Sequence, residues 1–307
     1  MKPLKSNQEG ISHYLLPVLF VVIIAFIGMR VLTMSHAATT GVATSTLSSE
    51  NGMRAPKGFP VTTLSGGVLQ NQLSTGGSGV LISGAYFYYA SMAEGSITAN
   101  GASVTLSQSK PIVGVTDYHS LSELAIQSAD GRQIIEIGWI VAPPMFHDSL
   151  THLFVFHWVN SIPTCYNGCG FVPTSKTYHA GELLQVGVTG TYAIQYKTNQ
   201  WQLSYNGTPI GYFPVTIWKG SFTQLGLVKV FGEVASSSAT TPHTQMGNGV
   251  LGTNSKSAFI KNLTLIGSRG SNSLSYNANN APAVYNIGNF NRICVTACGM
   301  NFGGPGY

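Results

Sequence analysis

From residue 80 onward, runs of β-branched and aromatic residues last only a few positions before a turn signal interrupts them, roughly every eight to twelve residues. Pieces of that length suit strands half-buried in a sheet. They leave little room for helices, and no stretch carries a convincing 3.6-residue apolar period. The chain is therefore expected to be all-β: a single-domain antiparallel β-sandwich of two bent sheets, with a cleft on the concave face of one.

One hairpin can be drawn residue by residue. Residues 123–127 and 132–139 flank Asp130-Gly131, a strong two-residue turn signal. With those two residues as the loop, Ala125 stands opposite Glu136. Glu136 then shares a face with Ile134 and Gly138, while Ile135, Ile137 and Trp139 face the other way. Asn206-Gly207 marks a second tight turn, between residues 201–205 and 210–213. Residues 151–159 are apolar on both faces and read as a central strand.

Two glutamates sit where a carboxylate has no ordinary reason to be. Glu136 lies in Ile-Ile-Glu-Ile-Gly-Trp and Glu233 in Val-Lys-Val-Phe-Gly-Glu-Val. An ionised carboxylate withdrawn from water is costly unless paired, so such positions often hold groups with working pKa values. From residue 38 onward only nine acidic residues remain, and most of the others adjoin turn or polar residues. Two embedded glutamates from so small a pool point to an acid/base pair. The alternative is two half-buried strand residues that face solvent or an arginine.

Charged residues make up 8 % of the chain, against the usual quarter. Solubility must then come from hydroxyls and amides, which suits an exported protein. The net charge of +5 includes Lys2, Lys5 and Arg30 against Glu9; the remainder carries 12 basic and nine acidic residues and no basic cluster, so no nucleic-acid partner is expected. Lys2 and Lys5 precede an uncharged run over residues 14–29, followed by Ser35-His36-Ala37. That run is short for a membrane span of about 20 residues. Residues 1–37 fit a signal peptide, or an N-terminal membrane anchor if left uncleaved. The body is expected to be secreted or held at the outer face of the membrane, with membrane contact only through that segment. Residues 38–79, rich in Ser, Thr and Gly, read as a flexible linker or short pro-segment. Residues 80–307 then form the domain, expected as a monomer.

The cysteines form two close couples, Cys165-x-x-x-Cys169 and Cys294-x-x-x-Cys298. In an oxidising compartment these read as two loop-locking disulfides, with a tetrahedral zinc site as the alternative. His152 and His157, five apart on one strand, face opposite ways and cannot share a metal. No Gly-x-Ser-x-Gly elbow, His-Glu-x-x-His motif or phosphate-cradling loop is present. The tryptophans at 139, 158, 201 and 218 suit either a sandwich core or a sugar-stacking face. The second option leaves a non-catalytic carbohydrate- or peptide-binding module as the reading from another class.

Several segments, taken in order, carry a family resemblance. Glu136-Ile137-Gly138-Trp139-Ile140-Val141, with Pro143 and Asp148, is similar to a Glu-x-Gly-Trp-x-Val segment and the Gly-Asp after it. Phe154-Val155-Phe156-His157-Trp158 resembles the aromatic strand that follows, and Cys165-Tyr166-Asn167-Gly168-Cys169-Gly170-Phe171-Val172 a Cys-Tyr-Asn…Cys…Gly-Phe-Val loop. Gly211-Tyr212-Phe213-Pro214 is close to Gly-Tyr-Trp-Pro, and Gly232-Glu233-Val234 to the end of Gly-Gly-Glu-Val. Met246-Gly247-Asn248-Gly249 and Gly303-Gly304-Pro305-Gly306 complete the series. From about Gly84 the chain thus resembles the neprosin family of glutamic peptidases.

That resemblance implies peptide hydrolysis on protein or peptide substrates, with Glu136 and Glu233 as the catalytic carboxylates and with neither cofactor nor metal. Trp139, Trp158 and Tyr212, inside the matching segments, are expected to contact substrate. Glu136 is expected as general base, because Ala125 and Gly138 leave space for a water. Glu233 is expected as acid, because Phe231 and Val234 desolvate it. The chain departs from the pattern at Phe231, where the family has glycine, and in a shorter cysteine loop. The family's pro-domain also has no counterpart in residues 38–79.

Overall fold

A computed structural model describes residues 53–54, 61–63, 69–71, 85–268, 276–279, 281–291 and 298–307. The expectations for residues 1–37, for most of 38–79 and for Cys294 lie outside them. Among the described residues no helix is long and apolar enough to cross a membrane.

The strands run in chain order as β1 (Met53–Arg54), β2 (Val61–Thr63), β3 (Leu69–Asn71), β4 (Ala85–Ala99), β5 (Gly101–Ser107), β6 (His119–Gln127), β7 (Ile134–Val141), β8 (His152–Val159) and β9 (Ile162–Pro163). There follow β10 (Val172–Pro173), β11 (Thr189–Lys197), β12 (Gln200–Tyr205), β13 (Thr208–Pro214), β14 (Leu225–Ser236), β15 (Ala258–Ile266), β16 (Tyr276–Asn279), β17 (Asn286–Asn291) and β18 (Cys298–Gly303). A single helical turn, α1 (Pro143–Phe146), and a 3-10 turn at Val215–Trp218 interrupt them. Among the described residues the fold is nearly all β, as the turn spacing predicts. One antiparallel sheet has the order β1-β4-β14-β6-β7-β8-β9 with β16 against β4, the other β10-β13-β12-β11-β5-β15-β18-β17.

The hairpin register drawn from Asp130-Gly131 is the one adopted: Ala125 pairs with Glu136 and Gln127 with Ile134. The second hairpin also turns at Asn206-Gly207, with Tyr205 opposite Thr208. The expectation for residues 151–159 is half right. β8 is covered on both faces, by Leu153 and Val155 between the sheets and by Phe154 and Phe156 outside, yet its outer neighbour is only the two-residue β9. Its apolar pattern reports two covered faces, and that is not the same as a central place in the sheet.

The two sheets bury one core between them, where Ile135, Ile137 and Trp139 of β7 meet Leu106, Tyr192, Trp201 and Phe213 of the other sheet. The buried indoles are satisfied across the core: Trp139 Nε1 donates to Ser107 O at 2.8 Å and Trp201 Nε1 to Phe222 O at 2.7 Å. A second cluster lies on the far side of the first sheet, built from Phe87, Tyr89, Leu121, Phe154, Phe156 and Phe231 with Tyr166 and Trp158 at its margin. A sheet covered only on one face would leave those aromatics in water. Here they pack on one another, and Tyr89, Phe231 and Trp158 line a cleft.

Candidate active site

The period-2 rule fixes which side chains reach this cleft. Glu136 on β7 is opposite Ala125 on β6, and Ala125 is opposite Lys229 on β14. Two residues along, Glu123 is opposite both Gly138 and Phe231; two further, Leu121 is opposite Glu233. Glu123, Glu136, Lys229 and Glu233 therefore occupy one face, away from the inter-sheet core. The register thus sets both embedded glutamates on one face of the sheet, from two strands whose glutamates are 97 residues apart in sequence.

In a flat sheet the two glutamate positions would lie roughly 10 Å apart across the strands and 13 Å along them. Both nonetheless line the same cleft of about 220 Å³, together with Tyr89, Trp158, Lys229 and Phe231. The residue set between them by register is Glu123, which is wholly buried.

Each lining glutamate is held by a side chain from a neighbouring strand. Trp158 Nε1 donates to Glu136 Oε1 at 2.9 Å. Trp158 is itself fixed from behind, because its carbonyl accepts a 2.8 Å bond from Trp218 Nε1. His119 Nε2 lies 2.8 Å from Glu233 Oε1, with the histidine 3 % exposed and the glutamate 0 %. The His119 ring packs against Phe87, centroids 6.2 Å apart. Lys229 is buried with its ammonium over the faces of Tyr89 and Phe231, 4.8 and 4.9 Å from the ring centroids. Phe231 is therefore a wall of the cleft, and a glycine there would remove that wall.

The remaining expected site residues divide. Trp158 is at the cleft. Trp139 is on the opposite face of its strand, fully buried between the sheets, which removes it from substrate contact. Tyr212 is on β13 in the other sheet, paired with Val172 and Gln202, and is not part of the cleft wall. Cys165 and Cys169 form the expected disulfide. Their loop folds back onto β8, where Asn167 Oδ1 accepts from Val155 N at 3.0 Å and Tyr166 packs on Phe154 and Phe156. Cys298 is disulfide-bonded, and its expected partner Cys294 lies outside the described residues. His152 and His157 are apart, as expected. His152 bonds Asp148 and Gly181 O, while His157 bonds Thr164 and is held in the core, where burial pushes its imidazole down to about 4.

Three site residues escape the sequence reading: Glu123, His119 and Lys229. Glu123 was within reach, since the register that puts Ala125 opposite Glu136 puts Glu123 on the same face. Lys229 was within reach too, since alternation along one strand puts residues 229, 231 and 233 on one face; His119 meets Glu233 only through the pairing of β6 with β14, which no local pattern announces.

The neprosin family model matches residues 116–305, a span that contains every cleft residue named above except Tyr89. Site and match together place the chain in the class of glutamic-type peptidases, hydrolases that work through carboxylates. The chain belongs to the neprosin family. Among solved structures it is similar to a Scytalido-glutamic peptidase bound to a peptide-based transition-state analogue, at 8 % identity and TM-score 0.40 over 71 % of this chain and 99 % of the other. It is also similar to SCP-B, a member of the eqolisin family of peptidases, at 11 % identity and TM-score 0.34 over 71 % and 96 %. A Bacillus licheniformis β-glucanase follows at 13 % identity and TM-score 0.29, over 61 % and 78 %. Likenesses this distant carry no residue roles, and the reading of the site stands on the family and on the geometry.

Proposed function

We propose that this chain is an exported endopeptidase that hydrolyses peptide bonds at acidic pH with Glu136 and Glu233 and a water activated between them. The observation that carries this reading is the pair itself: two glutamates from separate strands, nearly sealed from solvent, facing one cleft lined by aromatic rings. Two carboxylates that share a site cannot both ionise easily, so the pair works with one proton.

The surroundings favour a division of roles opposite to the one drawn from sequence. Glu233 Oε1 lies 2.8 Å from an imidazole, a partner able to carry positive charge, and Glu136 Oε1 accepts a bond from the indole of Trp158. Glu233 is then the ionised member and Glu136 the protonated one. Glu233 takes a proton from the water as its oxygen bonds to the scissile carbonyl carbon. Glu136 gives its proton to the carbonyl oxygen as charge gathers there. On collapse the C–N bond breaks, the leaving amine takes the proton from Glu233, and Glu136 recovers its own from the new hydroxyl. Both carboxyls end as they began. The first sheet's strands offer an extended peptide a parallel course across the cleft, and the aromatic walls suit apolar side chains; proline is one that they could accept.

Incubation of the purified protein with acid-denatured protein at pH 3 to 5, beside Glu136→Gln and Glu233→Gln, tests this reading. Fragments from the parent and none from either variant support it. A variant that cleaves like the parent refutes the dyad.

A further inference from the structure

The floor of the cleft is uneven. Along β6 this face presents Leu121, Glu123, Ala125 and Gln127, and of the four only Ala125 ends at its Cβ. Ala125 lies between Lys229 and Glu136, whose Cα positions are two strands, roughly 10 Å, apart. A methyl group fills little of that interval. Gly138, the other small residue near Glu136, adds no space. A Cβ there would meet Ser122 O at 2.1 Å, so the backbone of β6 already occupies what a side chain would take.

Rings wall the space over Ala125. On the β14 side Phe231 and Tyr89 meet edge to face, with centroids 5.5 Å apart. On the β8 side stands Trp158, held by its 2.9 Å bond to Glu136 and by the bond its carbonyl accepts from Trp218. All three rings and Ala125 line the same cleft of about 220 Å³. An apolar cavity of about 150 Å³ takes a benzene ring, so this one has room for a ring and for a water beside it. Toward the β6–β7 turn the lining becomes polar, where Gln127 and Ser161 offer partners to a phenol hydroxyl.

We propose that Ala125 and Phe231 determine specificity: the space over Ala125, with Phe231 as its wall, takes one ring-bearing side chain, Phe or Tyr, from an extended substrate. This rests on the peptidase reading, which puts the attacking water between Glu136 and Glu233. Those glutamates stand at the register levels of Ala125 and Leu121, so the water falls near the level of Glu123, about 7 Å along the strands from Ala125. An extended peptide running with the strands repeats its inward side chains at the same interval. The ring therefore belongs to a residue within two of the bond that is cut. Ala125 sets how deep that side chain goes, and Phe231 gives it a flat surface to pack on.

Binding of N-acetylphenylalanine methylamide and N-acetylalanine methylamide at pH 4, titrated by NMR of the protein, tests this. The parent should prefer the phenylalanine probe by at least about tenfold. Ala125→Leu fills the floor and should bring the preference to about threefold or less, with Ala125→Val in between. Phe231→Ala should lower it as well. Circular dichroism shows which variants are folded, and the smaller Ala125→Val decides the matter if the leucine variant is not. Equal affinities in the parent, or an unchanged preference in the folded variants, overturns the proposal. Cleavage sites in acid-denatured protein, mapped by mass spectrometry, are the second readout. Phe or Tyr should be enriched at one position within two residues of the cut, and that enrichment should be lost in the Ala125 variants; cuts without it overturn the proposal. Failure of the peptidase reading is a different result: the parent then prefers the phenylalanine probe yet cuts no protein, or cuts it as well after Glu233→Gln.

Discussion

Glu123 stands directly opposite Gly138 in the β6–β7 ladder, and a Cβ built on Gly138 would come within 2.8 Å of the Glu123 Cα and 2.1 Å of Ser122 O. The glycine two residues after Glu136 is therefore a matter of close approach: only a residue without a side chain lets β6 carry a buried glutamate at that point. Gly138→Ala should push the two strands apart beneath the cleft. The expected cost is about 1 to 3 kcal/mol, seen as a lowered Tm, together with a fall in kcat. A variant as stable and active as the parent would show that the strands yield freely.

Gly232, next to Glu233, faces the other way. A Cβ there would meet the Phe302 ring at 2.3 Å, so the glycine is where the second sheet presses against β14. Gly232→Ala should destabilise by a similar amount, and Phe302→Leu should recover part of that loss. The double-mutant cycle measured by denaturant unfolding should give a coupling of about 0.5 kcal/mol or more. Additive effects would mean that the two residues do not share one packing constraint.

Trp158→Phe keeps the ring and removes the 2.9 Å donor to Glu136. A bond donated to a carboxylate favours its charged form, so its loss makes Glu136 hold its proton to higher pH. With Glu136 as the acid, the basic limb of kcat/KM should move up while the acid limb stays. Movement of the acid limb instead would restore Glu136 as the base.

His157 links stability to the acidity in which the enzyme is expected to work. Burial lowers its imidazole from 6.5 to about 4. The unfolded chain then binds a proton that the folded chain refuses, so stability falls as pH drops from about 6.5 to about 4 and is fully present above that window. The contribution is on the order of 3 kcal/mol at most. His157→Phe should flatten the dependence of Tm on pH across that window, provided the lost bond to Thr164 is tolerated. An unchanged slope would place the acid sensitivity elsewhere.

Much of this site can be read from the sequence, and what cannot be has a physical reason. Asp130-Gly131 fixes a register, and the register fixes the face of Glu136 and of Trp139 alike. The same alternation removes Trp139 from the cleft, which the motif around it had suggested it would line. Glu123 falls within the same argument, but the hairpin drawn from sequence begins at residue 123, whereas β6 begins at His119 and buries Glu123 at its middle. β14 is different: it pairs with β4 on one side and β6 on the other, more than 90 residues away from either. Pairings that distant are set by the whole core, so the meeting of His119 with Glu233 has no local signature.

The most direct test of the central claim is the initial rate of cleavage of an internally quenched peptide from pH 3 to 8, for the parent, Glu136→Gln and Glu233→Gln, each with and without chelator. The account predicts a bell-shaped parent profile centred in the acidic range and indifferent to chelator, and a loss of at least about 100-fold in kcat for each variant under conditions where circular dichroism shows it folded. A parent optimum near pH 8, abolition by chelator, or a glutamine variant that turns over at the parent rate would contradict it.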